Sequence, residues 1–183
     1  TLSGTLKFSS QGTLNSGTVK LNGGLFDVDQ NITVGSDLVH SADSYIEIED
    51  GKAISYTGQV LNIGNLALRI SGGGTFDNTN NLAIDNAGSK LSISNSTKIS
   101  RLLVSASGTG NGITISNSAT SASGNLVENL VLSSSLSVTS DAAWEVGSIT
   151  AGSALTFSND KDLSVGSLSL TGSAEMSLGA SDI

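Results

Sequence analysis

A chain of 183 residues with 22 glycines, no proline, no cysteine and a formal net charge of −8 is limited in what it can be. The acidic balance excludes a nucleic-acid binder, which needs a Lys/Arg footprint on the phosphates, and no apolar run approaches the roughly 20 residues of a membrane span, so no membrane insertion by this segment is expected. Without cysteine there is no disulfide framework and no thiolate chemistry.

From the start of the chain, apolar residues come in pairs spaced by two: Leu6 with Phe8, Val19 with Leu21, Phe26 with Val28, Ile32 with Val34. A spacing of two places both members on one face of a strand, whereas a helix would need apolar residues at i, i+3, i+4 and i+7. Gly, Ser and Asn separate the pairs, so each predicted strand is very short. Absent proline fits this pattern, because proline cannot donate to a strand ladder and survives only at edges and bulges. One phrase recurs here: Gly23-Gly24-Leu25-Phe26-Asp27 returns as Gly73-Gly74-Thr75-Phe76-Asp77. The two copies are expected to lie two or three whole structural repeats apart.

The acidic residues concentrate in the same region. Seven of the 16 carboxylates lie between Asp27 and Asp50, and no Lys or Arg occurs from Leu21 to Gly51. Asp27, Asp29 and Asn31 alternate with inward Phe26 and Val28 and should share an outer face. Their Asp-x-Asp-x-Asn spacing resembles the opening of a calcium loop but lacks its glycine and its distal glutamate; calcium is the one cofactor the spacing admits, and none is otherwise expected. Tyr45, Glu47 and Glu49 should point outward, with Ile46 and Ile48 pointing in. Tyr45 beside carboxylates suits a sugar or a basic partner, an amphipathic use of tyrosine. These five residues, Asp27, Asp29, Tyr45, Glu47 and Glu49, are the candidate surface-binding residues. The plainer reading is a solvated strand face whose charge preserves solubility.

A second phrase runs through the middle and end of the chain as Leu91-Ser92-Ile93-Ser94, Ile113-Thr114-Ile115-Ser116 and Leu155-Thr156-Phe157-Ser158. Between successive copies, residues 105–112 and 116–125 form insertions of small and polar residues, which in a repeat protein become loops on one face. From Val127 onward the chain repeats without a gap in rows of equal length. Val127, Val146 and Val165 form one column; Leu130, Ile149 and Leu168 a second; Leu132, Ala151 and Leu170 a third. Leu136, Leu155 and Ala174 make a fourth, and Val138, Phe157 and Met176 a fifth. Trp144 and Leu163 share a further inward column that breaks at Asp182, and Asn129, Ser148 and Ser167 form a polar one. Repeats of roughly 20 residues mark solenoids, in which one repeat buries its apolar face only by stacking on the next.

The expected fold is therefore all-β: a parallel β-helix with three short strands per coil and coils of about 19–23 residues. One solenoid segment should span residues 1–183, with irregular coils over 1–126 and regular 19-residue coils over 127–183. The chain opens on Thr1 and stops in mid-pattern, and it reads as a piece of something longer. Neither end shows a capping helix, a proline or a charge run, so end-to-end self-association is expected.

The coil length, the Leu-x-Leu/Ile-x-Val rhythm, the phrase Val165-Gly166-Ser167-Leu168 and the Gly-Gly-x-Phe-Asp echoes together resemble secreted bacterial adhesins of the filamentous-haemagglutinin and autotransporter-passenger type. The resemblance implies a right-handed helix displayed outside the cell, secreted or on its surface, acting in adhesion or as a stalk. The implied partner is a protein or glycan on a host or neighbouring cell. No Arg-Gly-Asp and no translocator barrel accompany it.

Parallel β-helices also host polysaccharide lyases and glycosidases, so an enzyme is the alternative, and a self-assembling filament subunit is a third reading. Glycoside hydrolysis needs two facing carboxylates. Asp141 and Asp160 align one coil apart, but in a turn column with Lys161 as the nearby base. The sole histidine, His40, has no Gly-x-Ser-x-Gly elbow to serve and is expected at the surface of a turn. No catalytic set assembles from the sequence, and a non-catalytic role is expected.

Overall fold

The spaced-by-two pairs become strands that hydrogen-bond to the coils before and after. In the computed structural model, described residues are 1–15, 17–95, 97–105, 112–116, 127–134, 136–140, 144–158 and 163–178, with side chains for all of these but 112–116, 136–140, 144, 157–158, 163 and 178. Every paired strand runs parallel to its neighbours, no helix is present among the described residues, and the chain winds as a parallel β-solenoid.

The first four coils each carry three strands. They are β1 (Thr5–Phe8), β2 (Gly12–Leu14) and β3 (Thr18–Asn22); β4 (Leu25–Val28), β5 (Ile32–Val34) and β6 (Asp37–Ala42); β7 (Ser44–Ile48), β8 (Ala53–Tyr56) and β9 (Leu61–Asn62); and β10 (Ala67–Ser71), β11 (Thr75–Asn78) and β12 (Leu82–Ile84). The later coils carry two. These are β13 (Lys90–Ser94) with β14 (Lys98–Val104), β15 (Gly112–Ser116) with β16 (Val127–Leu132), β17 (Leu136–Ser140) with β18 (Trp144–Ala151), and β19 (Leu155–Ser158) with β20 (Leu163–Leu170), followed by β21 (Met176–Leu178). The first sheet stacks nine strands in the order β1-β4-β7-β10-β13-β15-β17-β19-β21. The second stacks β2-β5-β8-β11-β14-β16-β18-β20, with β9 and β12 attached through β14, and β3-β6 form a short third sheet.

Stacking in register turns periodicity into columns. Leu6, Phe26, Ile46, Ile70 and Ile93 are successive partners on the inner side of the first sheet. Ile32, Ile54, Phe76, Ile99, Val127, Val146 and Val165 are successive partners in the second. A third column runs Leu61, Leu82, Leu102, Leu130, Ile149, Leu168. These columns form the core, and most of their members are fully buried. The 19-residue alignment of the second sheet is as expected, including Leu132–Ala151–Leu170 and Trp144–Leu163; the side chain of Trp144, like Asp182, lies outside the described residues. Leu168 and Leu170 face inward by register but are 48% and 44% exposed, because among the described residues no strand stacks on the far side of β20.

Three expectations are corrected. The regular coils hold two strands, not three: the Trp144–Val146 and Ile149–Ala151 pairs lie in one continuous strand, β18. Its inward residues Val146, Ile149 and Ala151 are buried while Gly147 and Ser148 are half-exposed between them, so the strand bends there without breaking. The final first-sheet columns also slip. Met176 pairs with Leu155, and Leu178 with Phe157, where a 19-residue repeat would have put Ala174 and Met176. A turn at Thr171–Ala174, with Gly172 at φ 65 and the Ala174 amide donating to the Thr171 carbonyl at 3.2 Å, takes up the two extra residues. An even slip preserves the inward face. Finally, the Gly-Gly-x-Phe-Asp echo is not a whole number of coils, since Phe26 lies in the first sheet and Phe76 in the second. What repeats is a corner. Gly24 and Gly74 precede each strand where a Cβ would come within 2.8 Å of the Leu2 carbonyl and 2.7 Å of the Glu49 and Lys52 carbonyls, respectively. The Leu-x-Ile-x phrase, by contrast, does stay in the first sheet throughout, in β13, β15 and β19.

The change from three strands to two is made by a polar side chain in the core. The column Leu14–Val34 continues into Tyr56 and then Asn78, both fully buried. Strand β14 pairs with β11 through Ile99 and with β12 from Leu102 onward, which leaves Arg101 without a backbone partner on that side. The Asn78 amide takes the place of the missing peptide. It donates to the Arg101 carbonyl at 2.7 Å and accepts from the Arg101 amide at 3.1 Å. Its second N–H donates to the Asn80 carbonyl at 2.7 Å.

Tyr56 performs the same service one coil earlier. Its hydroxyl accepts from the Leu38 amide at 3.1 Å and donates to the Gln59 carbonyl at 2.7 Å, while the Asp37 carboxylate accepts from the Gln59 amide at 3.0 Å. Side chains thus stitch β6 to the segment leading into β9, where the third sheet has no further strand pairing. The Tyr56 ring stacks on Phe76 with centroids 5.7 Å apart. Burial pushes the phenol above the ordinary tyrosine range.

Two substitutions test this account. Ile149→Asp puts an unpaired carboxylate between Leu130 and Leu168 and should cost several kcal/mol. Ser148→Ala, one residue away, removes only a partly exposed hydroxyl bonded to Asn129 at 3.0 Å and should cost less than about 1 kcal/mol in the same urea melts; equal losses would refute the alternation. Tyr56→Phe strands the buried Leu38 amide and should cost about 1–3 kcal/mol, with hydrogen exchange of that amide accelerated more than that of the core strands.

Candidate functional site

On the outer side of the first sheet the same register lays polar residues on a grid. The column Leu25–Tyr45–Arg69 runs beside the column Lys7–Asp27–Glu47–Ser71. Glu49 donates its amide to the Val28 carbonyl at 2.9 Å, as Asp29 does to the Phe8 carbonyl at 3.0 Å, so Glu49 and Asp29 are neighbours in a third column. All five candidate residues, read from the sequence as two separate strand faces, therefore come together on one face of adjacent coils. Tyr45, Glu47 and Glu49 are exposed, and Asp27 and Asp29 are half-buried.

Strand alternation positions these groups. Phe26, Val28, Ile46 and Ile48 are fully buried, which forces their intervening neighbours outward. The electrostatics are set by a residue that sequence reasoning missed. Lys7 sends its ammonium between the two aspartates, 2.7 Å from Asp27 and 2.7 Å from Asp29. Hydrogen bonding to Asp27 first, and then to Asp29, holds the Lys7 ammonium above the usual lysine range, and the hydrogen bond from Lys7 lowers the Asp29 carboxyl below its ordinary value. The signal was present in the sequence, since aligning Leu6-Lys7-Phe8 over Phe26-Asp27-Val28 at the coil spacing of 20 puts Lys7 beside Asp27.

The remaining acidic and aromatic groups have different surroundings. Glu47 and Glu49 meet no lysine from the coil above, where Ser71 is the register partner of Glu47. Tyr45 carries the Arg69 guanidinium over its ring at 5.4 Å from the centroid, a cation–π contact. The face thus presents an aromatic–arginine pair beside two solvated carboxylates.

As to calcium, the Asp-x-Asp-x-Asn spacing does not converge on one point. Asp27 and Asp29 share the Lys7 ammonium, while the Asn31 carbonyl oxygen lies round the corner and accepts from the Ala53 amide at 2.9 Å. Among the described residues no group of three or more acids, histidines or cysteines gathers as a metal set.

His40 is not the surface turn residue expected. It lies in β6 opposite Leu21, a core residue, and its Nδ1 bonds the Ile63 carbonyl at 2.8 Å. The carbonyl can only accept, so Nδ1 carries the proton. Nε2 is buried without a partner among the described residues. The ring is a third stitch across the gap between β6 and β9. Asp141, Asp160 and Lys161, the remaining acid–base candidates, lie outside the described residues, as does most of the two insertions.

No protein-family model, no curated protein and no solved structure matches this chain. Among the described residues no helix is long and apolar enough to cross a membrane.

The Lys7 bridge makes a pH prediction. A lowered carboxyl contributes stability that is present above the unfolded aspartate value near 3.9 and is lost as pH falls through the lower folded value of Asp29. Carboxyl-detected NMR titration should show Asp29 titrating below the ordinary range, and Lys7→Met should bring it back up. An unchanged Asp29 titration in that variant would contradict the bridge.

Proposed function

We propose that this solenoid is a non-catalytic extracellular surface segment, a rigid rod that holds the outer face of its first sheet toward a protein or glycan on another cell. The observation that carries this reading is the nine-strand ladder of the first sheet, which at about 4.8 Å per strand extends over roughly 38 Å. The described side chains on its outer side are held at a fixed pitch. On that face Tyr45, Arg69, Glu47 and Glu49 offer aromatic, cationic and anionic contacts within adjacent coils, and tyrosine and arginine are the residues on which binding surfaces most often depend. The resemblance to bacterial adhesins supports the same reading, with secretion or surface display and a bacterial source.

A second reading, assembly end to end into filaments, draws on the exposed Leu168 and Leu170 of β20, a strand with no partner on its far side among the described residues, an edge suited to pairing with another copy.

Beads coated with the chain should adhere saturably to epithelial cell monolayers. Combining Tyr45→Ala with Glu47→Gln and Glu49→Gln should reduce adherence about ten-fold or more while the melting temperature stays unchanged. Release of new reducing ends from pectin or β-glucan would replace adhesion with a carbohydrate-active enzyme. Concentration-dependent light scattering, abolished by Leu168→Lys and unaccompanied by adherence, would replace it with filament formation.

A further inference from the structure

The second sheet has its own outer face, and near the start of the chain it is grooved. Gln11, Thr13, Asn31, Thr33, Ala53 and Ser55 line a shallow, open groove of ≈ 440 Å³. The groove runs along the solenoid axis, because Thr13, Thr33 and Ser55 are successive register partners in β2, β5 and β8. One hydroxyl therefore appears per coil, about 4.8 Å apart.

Two features combine in this column: unengaged hydroxyls, which occur also at Thr150 and Ser169 further along the sheet, and an absence of charge. Several hydroxyls elsewhere are engaged within the fold: Ser100 donates to Asp77, Ser148 to Asn129, and Ser41 to the Leu21 carbonyl. Among the described residues, the hydroxyls of Thr13, Thr33 and Ser55 have no such partner, nor does the Gln11 amide. Asn31 uses only its oxygen, on the Ala53 amide, which leaves its NH₂ free. The second feature is charge. No ionised side chain lines the groove, whereas the first sheet at the same level carries Lys7, Asp27, Asp29, Glu47 and Glu49. The column ends one coil further on at Asp77, the register partner of Ser55, an exposed carboxylate that would repel a polyanion. Ala53 supplies a small apolar surface beside the hydroxyls.

We infer that this groove is a binding site for a neutral, extended oligosaccharide lying along the solenoid axis, one sugar ring per coil. Neutral donors and acceptors at a regular pitch suit a neutral polyhydroxyl chain. An extended β-1,4-linked glycan has a sugar repeat close to the coil rise, so one ring lies over each of Thr13, Thr33 and Ser55; successive rings are turned over about the chain axis, and a hydroxyl that both donates and accepts serves either edge. The Gln11 amide and the free NH₂ of Asn31 donate to ring or hydroxyl oxygens from one edge. The site lies on a different sheet from the Tyr45 face and stands whether or not that face binds a cell.

The test is NMR titration of the ¹⁵N-labelled chain with cellohexaose, and with oligogalacturonate as the anionic counterpart. Cellohexaose should shift the amides of Thr13, Thr33 and Ser55 in a saturable way. Thr33→Val, which keeps the shape and removes the hydroxyl, should weaken binding about five-fold, and Ser55→Ala should do likewise. Tyr45→Ala should leave this binding unchanged, so failure here is separable from failure of the adhesive face. No saturable shift at these three amides, unaltered affinity in both hydroxyl variants, or oligogalacturonate binding at least as tightly as cellohexaose would overturn the assignment.

Discussion

The strands of this chain are held by hydrogen bonds to the coils beside them, and those within a coil, such as Lys52 to Glu49 and Ala174 to Thr171, serve its turns. A three-residue strand such as β2 or β5 has no stability alone, and it exists because Gly12, Thr13 and Leu14 lie against Ile32, Thr33 and Val34 in a parallel ladder. From that one constraint the rest follows. Coils must match in register, apolar residues must fall in columns, and polar residues must fall outside them. Proline is absent because few positions could spare the amide. Where the ladder is interrupted, at Arg101 and around Gln59, a side chain replaces the missing backbone group.

The ladder also explains which parts of the fold were legible in the sequence. Columns of the second sheet could be read at a 19-residue period because equal coil lengths map position directly onto register. Legibility failed wherever coil length changed. The turn at Thr171–Ala174 displaced Met176 by two positions, and a corner motif at Gly24 and Gly74 passed for a coil repeat. The count of strands failed for a different reason: period-two pairs at Trp144–Val146 and Ile149–Ala151 look alike whether a turn or a bend lies between them. Only the partner strand decides, and β16 offers a continuous edge.

The candidate face was half legible. Outward positions followed from alternation, so Asp27, Asp29, Tyr45, Glu47 and Glu49 could be named, but neighbours across coils could not be. Lys7 reaches that face from the coil before Asp27, and Arg69 from the coil after Tyr45. Their spacings along the chain differ because the intervening coils differ in length. His40 was misjudged because a histidine among Ser, Ala and Asp residues looks like a turn, while its register partner Leu21 places it against the core.

A stack of near-identical apolar columns carries a hazard, in that sliding one part of the chain by a whole coil would still bury leucine against isoleucine. Tyr56 and Asn78 remove that degeneracy. Each is buried in a column otherwise filled by Leu14 and Val34, and each is satisfied by backbone groups found at one height only, Leu38 and Gln59 for the phenol and Arg101 for the amide. Displaced by one coil, both would be buried without partners, at a cost per group similar to that of a lost buried hydrogen bond. Two polar side chains thus act as an index mark on a repeating scale, giving an otherwise interchangeable set of coils a single order.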